Sequence, residues 1–199
     1  MSNKVFVVAT GNKGKLAEIK GVAKSYGVKV LSPAEIAVEK NLKKLEDIEE
    51  TADTYEGNAK LKADAVSKWC GLPAIADDTG LEVEALNGAP GLYSARYAGD
   101  PCTPAENRAK MLKVLNGVSN RKAQFKSVIC LSENGKNSYF HGELHGEIID
   151  REIGEGGFGY DPIFKVDGYD KTLAELKGDG VPVKTHRALA LEKFFESLK

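Results

Sequence analysis

The chain reads as a mixed α/β protein, and three features carry that reading. Apolar runs of strand length alternate with segments of helical period. An Asn-Gly pair joins two β-rich runs into a hairpin, which makes the sheet mixed rather than wholly parallel. A length of 199 residues with 42% hydrophobic content is enough to bury a sizeable core.

KVFVVAT (4–10) is β-branched and apolar and stops at Gly11, and KLAEIKGVAKSYG (15–27) puts Leu16, Ile19 and Ala23 on one helical face. The pair reads as strand, glycine turn, helix. VKVLS (28–32) is a second strand, EKNLKKLEDIEE (39–50) is charged and without a clear period, and TYEGNAKLKADAVSKWCG (54–71) is a helix stopped by Gly71. PAIADD (73–78) reads as a buried strand. In TPAENRAKMLKVLNG (103–117), Thr103 is the N-cap, Pro104 the first helical residue, Glu106 the closing member of a capping box and Gly117 the stop. QFKSVICLS (124–132) and NSYFHGELHGEIID (137–150) flank the turn at Asn134-Gly135. THRALALEKFFESLK (185–199) closes the chain as a helix with Leu191, Phe194, Phe195 and Leu198 inward. The Gly- and Pro-rich stretches are shorter than interdomain tethers, so a single domain over 1–199 is expected.

A formal net charge of −1 gives no broad basic footprint for duplex nucleic acid or an anionic membrane, and no run approaches the roughly 18 apolar residues of a membrane span. Cys70, Cys102 and Cys130 are odd in number and in no metal-ligand spacing, which fits a reduced, cytoplasmic compartment. The apolar run in MSNKVFVVATG is too short for a signal peptide.

Four stretches could carry chemistry. TGNKGK (10–15) lies where a strand feeds a helix, so its N–H groups and lysines suit phosphate oxygens, although it lacks the spacing of a P-loop. In IGEGGFGYDP the residues Gly154, Gly156 and Gly159 match G-x-G-x-x-G, but Pro162 and the strand-like IFKV follow where a dinucleotide turn needs a helix. A flexible glycine loop presenting Phe158, Tyr160 and Asp161 to a planar base competes with a plain core role for the two rings. Asp77 and Asp78 stand together at a strand end, where neighbours face opposite sides. With Glu46, Asp47, Glu49 and Glu50 they supply carboxylates from two segments, as Mg²⁺ requires, though acidic runs before a helix also serve its dipole. His186 and Arg187 open the last helix with hydrogen-bond donors. No nucleophile elbow or catalytic cysteine setting is present.

Taken in order, TGNKGK, EETADTYEGNAKLKA, GLPAIADDTGLEVEALNGAPGLYSARYAG, GGFGYDPIF and THRALAL resemble the inosine triphosphate pyrophosphatase family almost end to end. The resemblance implies hydrolysis of ITP, dITP and XTP to the monophosphate and pyrophosphate, by Mg²⁺-assisted attack of water on the α-phosphate. It implies an elongated mixed sheet with flanking helices, two lobes around a central substrate cleft, and a cytoplasmic homodimer that binds purine nucleoside triphosphates and neither nucleic acid nor membrane. On this likeness Thr10, Gly11, Asn12, Lys13, Gly14 and Lys15 hold the triphosphate; Glu49 and Asp78 bind the metal; and Asp78 is also the general base. Thr79, Phe158, Gly159, Tyr160, Asp161, His186 and Arg187 contact substrate, and Asp77 is structural. Two positions depart from the family pattern: Thr185 stands where Ser is usual, and Val181 where a substrate-contacting Lys is usual, with Lys177 and Lys184 the flanking lysines. A binding module without catalysis, and a pyrophosphatase for other modified nucleotides, are the alternatives. Retention of both Glu49 and Asp78 favours catalysis.

Overall fold

A computed structural model describes residues 4–199. The strands are β1 (Val5–Val8), β2 (Lys29–Leu31), β3 (Ala74–Val83), β4 (Pro90–Gly91), β5 (Lys122–Glu133), β6 (Lys136–Ile148) and β7 (Phe164–Val166). The helices are α1 (Lys13–Ser25), α2 (Pro33–Lys40), α3 (Tyr55–Cys70), α4 (Pro104–Val114), α5 (Leu173–Gly178) and α6 (His186–Glu196). The sheet is mixed: β1 runs parallel to β2 and β3, whereas β4 is antiparallel to β3 and β7 to β6. Strand order is β2-β1-β3-β5-β6-β7, with β4 on β3.

The chain divides into two compact units, and each is assembled from separated stretches. The first comprises the chain through Asp78, Ser127–Gly142 and Arg187–Lys199; the second comprises Thr79–Lys126 and Glu143–His186. The four boundaries between the units fall inside β3, β5 and β6 and at the start of α6, so no linker composition marks them in the sequence.

In the first unit, side-chain alternation along β1 sorts Phe6 and Val8 to one face and Val7 and Ala9 to the other. α1 and α6 cover the first face with Ile19, Ala23, Leu191, Phe194 and Phe195. α2 and α3 cover the second with Ile36, Ala59, Ala63 and Val66. In the second unit, Leu81, Val83, Met111, Leu115, Phe125, Ile163 and Phe164 form one apolar cluster between α4, α5 and the strands.

The capping box at Thr103 and Glu106 starts α4 as the sequence predicts, and Asn134 and Gly135 both take positive φ, 52° and 74°, in the β5–β6 turn. Two helices arise where none is expected. α2 begins at a capping box of Ser32 and Glu35 with Pro33 at its first position, and α5 at a capping box of Thr172 and Glu175. Both are short, at 8 and 6 residues, so the periodic signal has little length in which to appear. Residues 41–53, the charged stretch, are without helix or strand.

Candidate active site

β3 carries the two carboxylates out of the core, and the pleat separates them. Ile75 packs with α1 and α6, whereas Ala74 and Ala76 pack with α2 and α3. Continuing that alternation sends Asp77 to the α1/α6 face and Asp78 to the α3 face, and their partners agree.

Asp77 is 2% exposed. Its carboxylate accepts from Lys15 Nζ at 2.8 Å, from Arg187 Nε at 3.1 Å and from the Ser127 hydroxyl. Arg187, only 1% exposed, also donates through Nη1 to Glu18. Burial by itself would raise the Asp77 pKa, but Arg187 and Lys15 hold it well below the ordinary carboxylate range. Asp77 is therefore a fixed anion whose oxygens are fully engaged.

Asp78 is in the opposite condition. It is buried, and its Oδ2 has no hydrogen-bond partner among the described residues. Burial pushes its carboxyl above the usual value, Lys62 opposes that, and the nearby Glu50 charge adds to it. Lys62 Nζ reaches Glu50 Oε1 at 2.5 Å, the Asp77 carbonyl oxygen at 3.0 Å and Asp78 Oδ1 at 3.5 Å. Of the two neighbouring carboxylates, one is thus pinned as a charge, and the other keeps an oxygen unpartnered among the described residues.

Lys62 was not foreseen as a site residue. Its spacing carried the signal, because it lies at the inward positions of α3 with Tyr55, Asn58, Ala59, Ala63 and Val66, where a lysine needs an anionic partner. Asn58, on the same face, accepts from the Ala52 N–H at 2.9 Å and ties the acidic segment to α3. Glu49 itself is exposed on that segment; Glu50 is the carboxylate that meets Lys62. No group of three or more His, Cys, Asp or Glu side chains is placed to hold a metal among the described residues.

The TGNKGK turn opens α1. Asn12 is its N-cap, accepting from the Lys15 N–H at 3.0 Å, and Thr10 Oγ1 accepts from the Asn12 N–H at 3.1 Å. Gly11, Asn12, Lys13 and Gly14 are exposed. The first turn of α1 carries no acidic side chain, so the helix terminus presents a positive end. Lys13 faces solvent there, whereas Lys15 is committed to Asp77.

The remaining candidates belong to the second unit. Thr79 follows Asp78 on β3 and is half-buried. Tyr160 is buried, and its hydroxyl donates to the Ser94 carbonyl oxygen at 2.8 Å. Asp161 is buried and accepts from the Phe158 N–H at 2.9 Å and from Lys177 Nζ at 2.9 Å. Phe158 is 39% exposed. A core role thus holds for Tyr160, while the Phe158 ring reaches solvent. Gly154 and Gly156, ahead of them, serve close packing rather than flexibility. A Cβ on Gly156 would strike the Ala174 carbonyl oxygen and lie 2.5 Å from Gly178 N, and one on Gly154 would lie 2.6 Å from Glu175 N, so the loop rests on the α5 backbone. The G-x-G-x-x-G match leads into a short 3₁₀ turn and β7, not a helix. His186 is buried and stacks on Phe125 with ring centroids 4.8 Å apart. Cys70 and Cys130 are buried free thiols, and no helix among the described residues is long and apolar enough to cross a membrane.

Fold and site define a mixed α/β protein in which one strand end carries an ion-paired carboxylate next to one with an oxygen unpartnered among the described residues. The chain belongs to the Ham1 family, whose model matches residues 6–197. It is 47% identical over 192 residues to the dITP/XTP pyrophosphatase of Flavobacterium johnsoniae, covering 96% of each chain. It is likewise 47% identical over 189 residues to the dITP/XTP pyrophosphatase of a Thermoanaerobacter species, covering 94% of this chain and 92% of the relative. Among solved structures, the HAM1 protein from Coxiella burnetii superposes with a TM-score of 0.86 at 40% identity, and the Staphylococcus aureus Ham1 protein with 0.83 at 40%; each match covers 98% of both chains.

Proposed function

We propose that this chain hydrolyses non-standard purine nucleoside triphosphates, dITP, ITP and XTP, to the monophosphate and pyrophosphate. The observation that carries the reading is Asp78: a buried carboxylate with one oxygen unpartnered, its pKa raised and a lysine beside it. It is supported by relatives at 47% identity that are dITP/XTP pyrophosphatases.

The donor set fits a divalent cation. Mg²⁺ takes one or two protein carboxylates and fills its octahedron with water and substrate phosphates, so the lack of a third protein ligand is no obstacle. Asp78 offers the unpartnered oxygen, and Glu49 or its neighbour Glu50 the second carboxylate. When bound, Mg²⁺ would neutralise phosphate charge and acidify water. In this reading Asp78 takes the proton of the water that attacks the α-phosphorus, and Lys62 holds Asp78 and Glu50 in place. The exposed N–H groups of the TGNKGK turn and Lys13 bind phosphate oxygens, and Lys15 ties the turn to Asp77. Phe158 provides a face on which the base stacks. The protein acts in the cytoplasm as a homodimer, in keeping with the resemblance.

The test is a panel of dITP, ITP, XTP, ATP, GTP and CTP assayed for pyrophosphate with Mg²⁺ and with EDTA. Pyrophosphate from the first three, lost in EDTA, is expected. Phosphate as the only product, or ATP as the best substrate, would overturn the proposal.

A further inference from the structure

Lys177 is a cation of the second unit to which the proposed reaction gives no task. It lies in the last turn of α5, with its side chain 26% exposed. Three contacts place it on the FGYD segment. Its Nζ donates to Asp161 Oδ2 at 2.9 Å. The same oxygen accepts from the Phe158 backbone N–H at 2.9 Å. The ammonium also stands 5.3 Å from the centroid of the Phe158 ring, within cation–π range. The contacts close a ring of three residues around one buried carboxylate oxygen.

The backbone makes room for this. Gly157 takes φ +77°, and a Cβ there would strike Asp161 Oδ2 and lie 3.0 Å from Lys177 Cδ. Only glycine lets the lysine stem and the carboxylate approach the loop together. Arg108, from α4, fixes the next turn by donating to the Gly159 carbonyl oxygen at 2.9 Å while pairing with Glu152. Val181 supplies no cation; it is half-buried and packs against the apolar cluster with Val183. The ammonium that meets Asp161 therefore comes from α5 and not from position 181.

We infer that Lys177 is a positioning residue for base recognition: with Asp161 it holds the Phe158 ring as a preformed stacking face for an oxo-purine. The inference rests on the proposed pyrophosphatase reading. A ring anchored at its own N–H and covered by a cation loses little freedom when a base stacks on it. The cation held against the ring also fixes its orientation, so the ring is already placed when a base arrives. Because Lys177 is anchored on Asp161 and Phe158, its role is in binding rather than in the chemical step.

The test is steady-state pyrophosphate release from dITP and XTP by the wild type, Lys177→Met and Lys177→Arg, with melting curves for all three. For Lys177→Met the KM for both substrates is expected to rise about tenfold with kcat within about twofold, and Lys177→Arg to restore most of the difference, since arginine keeps both the ion pair and the ring contact. An unchanged KM in a folded Lys177→Met, or a fall in kcat alone, overturns the inference and leaves the proposed function standing. If Lys177→Met does not melt cooperatively, Lys177→Gln takes its place under the same criteria. A wild type that releases no pyrophosphate from either substrate overturns both.

Discussion

Asp77 and Asp78 share a strand and have opposite fates because adjacent side chains leave a strand on opposite faces. Asp77 gains two cations and a hydroxyl; Asp78 gains one lysine at 3.5 Å and a bare oxygen. Removing the Asp77 charge would leave Lys15 and Arg187 facing each other over a neutral amide. Asp77→Asn should therefore destabilise the protein by about 3–5 kcal/mol, the typical result of breaking a buried ion pair from one side. Urea denaturation measures this, and a loss below about 1 kcal/mol, the range of an exposed pair, would contradict the network. The opposed facing of the two carboxylates was legible from the strand period alone. Their charge states were not, because Lys15, Arg187 and Lys62 come from segments far from β3 in sequence. Lys62 could have been found from its place on the inward stripe of α3; Glu50 in preference to Glu49 as its partner could not, since adjacent residues of an aperiodic segment give no rule for facing.

Local chemistry at the element scale explains which helices were readable. α4 and the β5–β6 hairpin are fully specified by caps and turn residues within a few positions. α2 and α5 carry the same Ser/Thr-x-x-Glu start but lie beside charged or glycine-rich stretches that hide so short a helix. In α2 the box is tightened by Lys20, whose Nζ lies 2.7 Å from Glu35 Oε1. That contact, with the Ser32 N–H and hydroxyl, lowers the Glu35 pKa from 4.5 to about 2. A carboxyl depressed on folding contributes stability that is present above its unfolded pKa and lost as the pH falls through its folded one. The α2 cap should thus persist below pH 4.5 and weaken as the pH approaches 2. Carboxyl-carbon NMR titration tests it: a Glu35 midpoint near 2 is expected, and one near 4.5 would show that the box does not hold the charge. The glycine loop before β7 was the harder case. Sequence spacing cannot tell a loop that presents its rings from one that buries them, and the decision is made by α5, onto whose backbone Gly154 and Gly156 close.

For the whole molecule, the first unit is made of three stretches, and Asp77 holds one residue from each: Lys15 from the first, Ser127 from the start of the second and Arg187 from the start of the third. The residue that fastens these stretches is the neighbour of the residue with the unpartnered oxygen, so the position of Asp78 depends on the integrity of the unit. The α/β class, the mixed sheet and the membership of a pyrophosphatase family were readable from ordered motifs spread over the chain. The boundaries of the two units were not, because they run through continuous strands and the start of α6. The central claim is that the bare oxygen of Asp78 drives pyrophosphate release. The most direct measurement is the rate of pyrophosphate formation from dITP by the wild type and by Asp78→Asn, with circular dichroism to confirm that both fold. A loss of about 10²–10⁴-fold in a folded variant, the usual contribution of a positioned base, is the expected result. Turnover within a few-fold of the wild type would contradict the claim.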